Sequence, residues 1–287
     1  MTGSSSPAKP STSVSSSTTE AAEERRSLLL LAWRGQGYVG WQRQPEGVSV
    51  QQRVEEAASV ICGGASVRAM AAGRTDAGVH AWAQVVRVAH AVDRSPEAFF
   101  RGLGARLPPD IACLAAAEAP PDFHPVRDAV AKHYRYRILR REARCAFREG
   151  SVWRLARPLD LSAMRAAAAA LVGRHDFSAF RATGCTAPDA HKTVTHLDLT
   201  VRGDELHVDV FGDGFLRHQV RIMVGSLVEV GMGRMSPSAL SAALVAKDRG
   251  AAGPTAPPSG LWLVGVKTQP VIDWAAGGPP LGAPGDV

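Results

Sequence analysis

The sequence predicts an α+β fold in two similar halves, with helices on one side of an antiparallel or mixed sheet. Three observations carry this expectation. Strand-like and helix-like segments mix along the chain without the strict alternation of a parallel βαβ protein. The succession of elements over residues 28–124 is echoed over residues 125–268, although no sequence repeat accompanies it. In a chain of 287 residues, 45% hydrophobic content supplies an ordinary core. The longest apolar runs, Leu28 to Trp33 and Ala166 to Val172, fall well short of the ~20 residues that a membrane span requires.

The first strand is expected at Leu28 to Trp33, after a Ser/Thr-rich segment (1–27) that lacks the apolar stretch of a secretory signal and reads as a solvated tail. A glycine-punctuated loop, Arg34 to Gly47, follows. Val50, Val54, Ala57, Ala58 and Ile61 then recur at helical spacing, with Ser49 able to cap the first turn and Gly63 and Gly64 ending it. Short strands are expected at Val67 to Ala72 and at Trp82 to Ala89. Ser95-Pro96-Glu97 marks the start of a helix, because proline at the first helical position has no bond to lose. Further strands fall at Ile111 to Ala117 and Val130 to Leu139; in the latter Tyr134, Tyr136 and Ile138 alternate with Arg135 and Arg137, one aromatic face and one basic. The second half offers a helix at Leu161 to Val172, strands at Val194 to Val201 and Leu206 to Phe211, a helix at Phe215 to Val230, a capped helix from Ser236 and a strand at Leu261 to Lys267. From Gln269 onward proline and glycine predict a loose tail, 269–287.

The net charge is +6, the pI is near 9.5, and 28 of the 33 basic residues are arginine. That balance favours a polyanionic partner, since neutralised phosphates release counterions and the arginine fork fits phosphate oxygens. On charge alone a nucleic-acid partner and a mere compositional bias stand level. Lys132, Arg135, Arg137, Arg140, Arg141, Arg144 and Arg148 form one basic cluster, opposed nearby chiefly by Glu142 and Glu149. The four cysteines, Cys62, Cys113, Cys145 and Cys185, make no C-x-x-C pair, so neither a disulfide framework nor a zinc site is expected.

The segment Gly73-Arg74-Thr75-Asp76-Ala77-Gly78-Val79-His80 sets a carboxylate between glycines and between two predicted strands. Such a turn can present Asp76 at the end of a sheet, and Arg74, if it turns into the same cleft, would favour the ionised carboxylate. From the local pattern alone an ordinary polar hairpin with an Asp turn residue is the stronger reading.

Gly73 to His80 resembles the catalytic loop of the TruA-type tRNA pseudouridine synthases. Further similar stretches follow in the same order: Tyr38 to Gln44, Ser49 to Gln51, Leu107 to Ile111, Asp122 to His124, Tyr134 to Ile138, His175 to Phe180, Gly214 to Gly231 and Ala256 to Leu263. The resemblance spans residues 28 to 268. It implies a pseudouridine synthase fold with a central RNA-binding cleft, an N-terminal subdomain over 28–124 carrying the catalytic loop and a C-terminal subdomain over 125–268. It also implies a cytoplasmic, homodimeric isomerase needing neither cofactor nor metal. That enzyme would convert uridine to pseudouridine in the anticodon stem-loop of tRNA, at about positions 38–40. By the same resemblance Asp76 is the nucleophile, attacking ribose C1′ or uracil C6. Tyr134 stacks on the extruded base. Arg221 lies close to the aspartate, Leu261 packs against the target base, and Arg74 joins the substrate-binding set. Arg217, one turn before Arg221, is divided between phosphate contact and bare surface. With a family that reads RNA by shape and backbone, the basic cluster becomes an RNA track. His80, His124, His175 and His218 lie inside the matched stretches and are expected to be structural or RNA-contacting, because no metal-binding helix spacing is present.

The chain departs from the family pattern at Arg34-Gly35, where an Asp-Gly pair is common, at Gly104 and Arg106, where asparagines are frequent, and at Val126, where an arginine is usual. These departures bear on substrate contacts rather than on the loop. Two other readings stay open: an RNA-binding or tRNA-folding protein of the same fold without catalysis, and a hydrolase using Asp76 with a second carboxylate from Asp110, Asp122, Asp176 or Asp213.

Overall fold

The computed structural model describes residues 1–3 and 24–279. The strands are β1 (Arg25–Trp33), β2 (Arg68–Ala71), β3 (His80–His90), β4 (Ile111–Glu118), β5 (Ala129–Leu139), β6 (Trp153–Arg154), β7 (Gly173–Asp176), β8 (His191–Arg202), β9 (Glu205–Gly212), β10 (Leu261–Thr268) and β11 (Ala276–Gly277). The helices are α1 (Val50–Ile61), α2 (Pro96–Gly104), α3 (Leu161–Ala169), α4 (Gln219–Gly231) and α5 (Pro237–Ala246). All strands join one sheet in the order β11-β4-β1-β3-β10-β5-β9-β8-β7, with β2 on β3 and β6 on β5. The expected α+β class is the one observed.

The sheet is antiparallel except at β3–β10 and β5–β6, which makes it mixed. The β3–β10 joint is short, with Trp262 opposite His80 and Leu263 opposite Ala81. It is the seam between strands drawn from the two halves of the chain. The loops that enter β3 and β10 therefore leave the sheet side by side.

Side-chain alternation divides the sheet into two faces. Leu29, Leu31, Val86, Val88, Tyr134, Tyr136, Ile138, Val208 and Val210 share one core with residues of α1 to α5, so the helices do cover one side. In the N-terminal half, Leu28, Leu30, Ala83, Val85, Ala115 and Ala117 form a smaller core on the reverse face. Ile272 and Trp274 pack against that core, and β11 pairs with β4. The described part of the segment after Gln269 is thus tied to the sheet, against the expectation of a loose tail; two aromatic and branched side chains outweigh its prolines. Its final residues, 280–287, lie outside the described residues, as does most of the N-terminal tail, residues 4–23.

Helix ends follow the expected chemistry. The hydroxyls of Ser49, Ser95 and Ser236 accept from the amides of Gln52, Ala98 and Ala239. Two boundaries differ. β1 begins at Arg25 rather than Leu28, since backbone pairing with β3 continues through polar residues as far as Arg25–His90. α4 begins at Gln219 rather than Phe215, because His218 adopts a left-handed backbone (φ 63°, ψ 2°) that no α-helix tolerates.

The basic cluster of β5 does not form one track. Arg135 and Arg137 point to the reverse face, where Arg137 makes a bidentate pair with Glu205 (2.8 and 2.8 Å) and Arg135 Nε donates to Asp209 (2.9 Å). His207 and His133 complete the two groups through Glu205 and Asp209. Arg141 and Arg148 pair with Asp204. The acids come from β9 and its turn, about seventy residues downstream, and antiparallel pairing brings them opposite. Lys132 stands apart, on the aromatic face with Tyr134.

Candidate active site

The loop Gly73–Val79 enters β3 at the seam, and Ala256–Gly260 enters β10 beside it. Between them lies the N-terminus of α4. Asp76 Oδ2 is 3.4 Å from Arg221 Nη1 and 3.5 Å from His218 Nε2. Among the described residues its Oδ1 has no hydrogen bond, and one quarter of the side chain is exposed. One carboxylate oxygen is held while the other is uncommitted.

Arg221 itself is fixed. Its Nε donates to the Ala256 carbonyl (2.8 Å), and the Ala256 amide returns a bond to the Arg221 carbonyl (3.1 Å). α4 accepts this neighbour because its small residues allow backbone contact. A Cβ on Gly225 would lie 1.8 Å from the Pro254 carbonyl oxygen, and Ser226 Oγ accepts from the Gly253 amide (2.8 Å).

A second set of backbone contacts holds the Asp76 loop from behind. The Trp41 amide donates to the Thr75 carbonyl (3.2 Å), and the Gly78 amide donates to the Tyr38 carbonyl (3.3 Å). Gly40 has φ 105°, and a Cβ there would lie 2.7 Å from the Thr75 oxygen and 3.1 Å from the Ala77 nitrogen. The run Tyr38 to Gln44 is therefore a backing for the loop, and only glycine permits the approach. Tyr38 is anchored in turn, its hydroxyl donating to Asp110 Oδ1 (2.7 Å).

His80 closes the seam. The Gly35 amide donates to its Nδ1 (3.0 Å), so Nε2 carries the proton and donates to the Ser259 carbonyl (3.2 Å). The ring stacks on Trp262 at 4.3 Å. Burial pushes its pKa down to about 4, so it stays neutral. His80 is structural: it ties both entering loops together.

Tyr134, on β5 next to β10, is buried and meets Phe215 edge-on at 5.3 Å. Burial, and after it the charge of Asp76, hold its hydroxyl protonated well above the usual range. Tyr134, Asp76 and Arg221 thus share one side of the sheet. Leu261 begins β10 opposite Tyr136. Tyr136 is the structural partner of the pair, its hydroxyl donating to the Pro257 carbonyl (2.7 Å).

Two expectations change. Arg74 is exposed and does not pair with Asp76; Arg221 takes that place, because α4 and not the loop's own arginine reaches the carboxylate. His218, grouped with structural or RNA-contacting histidines, lies at the carboxylate. Its pKa is lowered mainly by burial, against which Asp76 works, while Arg221 and Arg217 add to the lowering. Nothing in the sequence marks the left-handed turn that places it. Of the four carboxylates considered as a second acid, Asp110 is committed to Tyr38, Asp176 to Ser178 and Lys247, and Asp213 to the Thr193 amide, while Asp122 is exposed in the turn after β4. His124 accepts from the Arg127 amide, and His175 donates to the Val172 carbonyl, both local structural roles. Among the described residues no group of three potential ligands is placed to hold a metal ion.

A family model described as tRNA pseudouridine synthase matches residues 167–268. The relatives extend the match over the loop. A tRNA pseudouridine synthase A from Rhodospirillum rubrum is 48% identical over 240 residues, 83% of this chain and 86% of the relative. The chain belongs to the tRNA pseudouridine synthase A family. A second relative of that name, from Rhodopseudomonas palustris, is 48% identical over 83% of this chain and 97% of its own length. A third, from Geotalea daltonii, is 42% identical over the same shares. The family is one of isomerases. No helix of the described residues is long and apolar enough to cross a membrane.

Proposed function

We propose that this chain isomerises uridine to pseudouridine in the anticodon stem-loop of tRNA, at about positions 38–40, with Asp76 as the nucleophile. The observation that supports the reading is the environment of Asp76: one oxygen lies beside Arg221 and His218, the other has no hydrogen bond among the described residues, and its charge acts on the nearby Tyr134 hydroxyl. A carboxylate beside a fixed guanidinium can attack either ribose C1′ or uracil C6. At C1′ the bond to Asp76 forms as the glycosidic bond opens; at C6 it forms first, by addition across the C5=C6 double bond, and the glycosidic bond opens afterwards. In either route the detached base turns, C5 joins C1′, and the ester is released. The proton on C5 must leave and N1 must gain one, so atoms balance without a cofactor.

Tyr134 is suited to stack on a uracil taken out of the helix, and Leu261 supplies an apolar wall at the start of β10. Arg74, exposed at the rim, suits a phosphate contact. Arg217 is also exposed and stands one turn from Arg221. In this reading the chain divides into subdomains 28–124 and 125–268, and the enzyme acts in the cytoplasm as a homodimer; these statements are carried by the resemblance.

Pseudouridine mapping of unmodified tRNA treated with the purified protein and with Asp76→Asn tests the proposal. The wild type should convert uridines of the anticodon stem-loop, while the variant should bind tRNA and convert none. Conversion by the variant would remove the nucleophile assignment, and modification confined to another arm would remove the target.

A further inference from the structure

The two faces of β5 treat its cations differently. On the reverse face Arg135 and Arg137 each meet an acid of β9. On the aromatic face Lys132 precedes Tyr134 by one alternation, so both side chains leave the sheet on the side of the Asp76 loop. Opposite Lys132 in β9 stands Gly212, which offers no side chain. Its ammonium lies over the catalytic loop: a Cβ on Gly73 would come within 2.9 Å of Lys132 Nζ.

Lys132 is half-buried, yet among the described residues it has neither a hydrogen bond nor an ion pair. Lys192 and Asp213 are the charges that act on it, and the Asp213 carboxylate accepts from the Thr193 amide (3.0 Å). Burial and the Lys192 charge both work against the ammonium. Taking a cation part-way out of water without an acceptor is costly, and a second cation nearby adds to the cost. An arrangement of that kind is complete only with an anion in it.

We propose that Lys132 binds a phosphodiester of the RNA strand adjoining the uridine that enters the Asp76 cleft. This rests on the reading that a uridine is brought to Asp76, and it adds the group that fixes the strand there. An ammonium over Gly73, three residues from the nucleophile, lets the backbone be gripped beside the extruded nucleotide. Lys192 reinforces the field from β8 without sharing that position over the loop.

The test joins protein and RNA changes. Lys132→Met removes the charge and keeps the stem; Lys132→Arg keeps the charge. Binding is read in an Asp76→Asn background, so that affinity is separated from chemistry, and kcat/KM is read with Asp76 intact. The RNA is tRNA ligated around one neutral methylphosphonate linkage, placed in turn at each phosphate flanking the target uridine. Lys132→Met should weaken binding and kcat/KM roughly ten- to hundredfold, the range for one charged hydrogen bond. It should also lower the salt slope of binding by about one ion. Lys132→Arg should stay within a few-fold of wild type. At one linkage the wild type should fall to the level of Lys132→Met, which should lose nothing further there.

Wild-type affinity for Lys132→Met, or equal losses by wild type and Lys132→Met at every neutral linkage, would overturn the proposal. If Lys132→Met does not fold, the wild type alone decides it: indifference to a neutral linkage at every flanking position overturns the assignment. Turnover by Asp76→Asn would sink the nucleophile reading while leaving the binding measurements to judge Lys132.

Discussion

Protonation of His80 should open the seam. The folded protein holds the ring neutral by burial, with its pKa near 4 against an ordinary 6.5. The unfolded chain therefore binds the proton first as pH falls, and stability rises with pH wherever the unfolded state holds more protons. His80 is fully buried, so its contribution is complete above about pH 7, declines below 6.5 and is exhausted near 4. A depression of this size corresponds to roughly 3 kcal/mol across the window, of which about 2 kcal/mol falls between pH 6.5 and 4.5. Carboxylates complicate only the lower end. Glu205 and Asp176, both held down to about 2, contribute above their ordinary values near 4.5 and 3.8 and lose that contribution as pH falls toward 2. His90 and His218 are also lowered and act in the same direction as His80. The comparison that isolates His80 is therefore wild type against His80→Asn, by urea unfolding at intervals from pH 7.5 to 4.5. The variant should be less stable at pH 7.5, because Gly35 and Ser259 lose partners, and the gap should close by about 2 kcal/mol at pH 4.5. A gap that stays constant over this range would refute the reasoning, since the ring would then not be the group that titrates.

Three further perturbations follow from the same contacts. Arg221→Met should lower isomerisation about a hundredfold or more while tRNA affinity falls less than tenfold, as expected for a fixed charge beside a reacting carboxylate; single-turnover kinetics and filter binding separate the two. Gly40→Ala forces a Cβ against the Thr75 carbonyl and strains a positive φ, and should cost about 2–4 kcal/mol with a parallel loss of turnover, read by thermal unfolding. Arg137→Met leaves Glu205 in a buried site with only His207 and Arg148 beside it, and should destabilise the fold by about 3 kcal/mol. Because that pair lies on the reverse face, kcat for the surviving folded protein should remain near wild type.

Local pattern located most elements, since capping serines and periodic apolar residues act within a few positions of themselves. Ser49, Ser95 and Ser236 each accept the amide expected of them. What local pattern did not carry was any fact set by a distant strand. Arg135 and Arg137 read as part of a basic track because their acids, Asp209 and Glu205, come from β9. Ile272 and Trp274 sit in a segment whose prolines and glycines suggest looseness, yet they cover a face left apolar by β1, β3 and β4. In the candidate site, resemblance supplied Asp76, Tyr134, Arg221 and Leu261. The left-handed backbone at His218 has no sequence signature, and the replacement of Arg74 by Arg221 at the carboxylate depends on how α4 docks against residues 253–256.

The seam explains how the Asp76 carboxylate is held in place at the end of the sheet. A loop presenting Asp76 at a sheet end has few contacts of its own, so its position must be imposed by neighbours. Parallel pairing of β3 with β10 brings two entering loops together, and the His80 ring at the start of β3 binds Ser259 of the second loop and Gly35 of the backing segment. Glycines at 35 and 40 let the backing strand lie close behind, where a side chain would meet Val79 or Thr75. α4 then delivers Arg221 from the other side, locked to Ala256. The supports at Gly35, Gly40 and His80 contact backbone, and Arg221 and His218 reach only Oδ2, which leaves Oδ1 uncommitted among the described residues. Substitutions in the supports should therefore act on stability and turnover together, whereas changes at Asp76 should act on turnover alone.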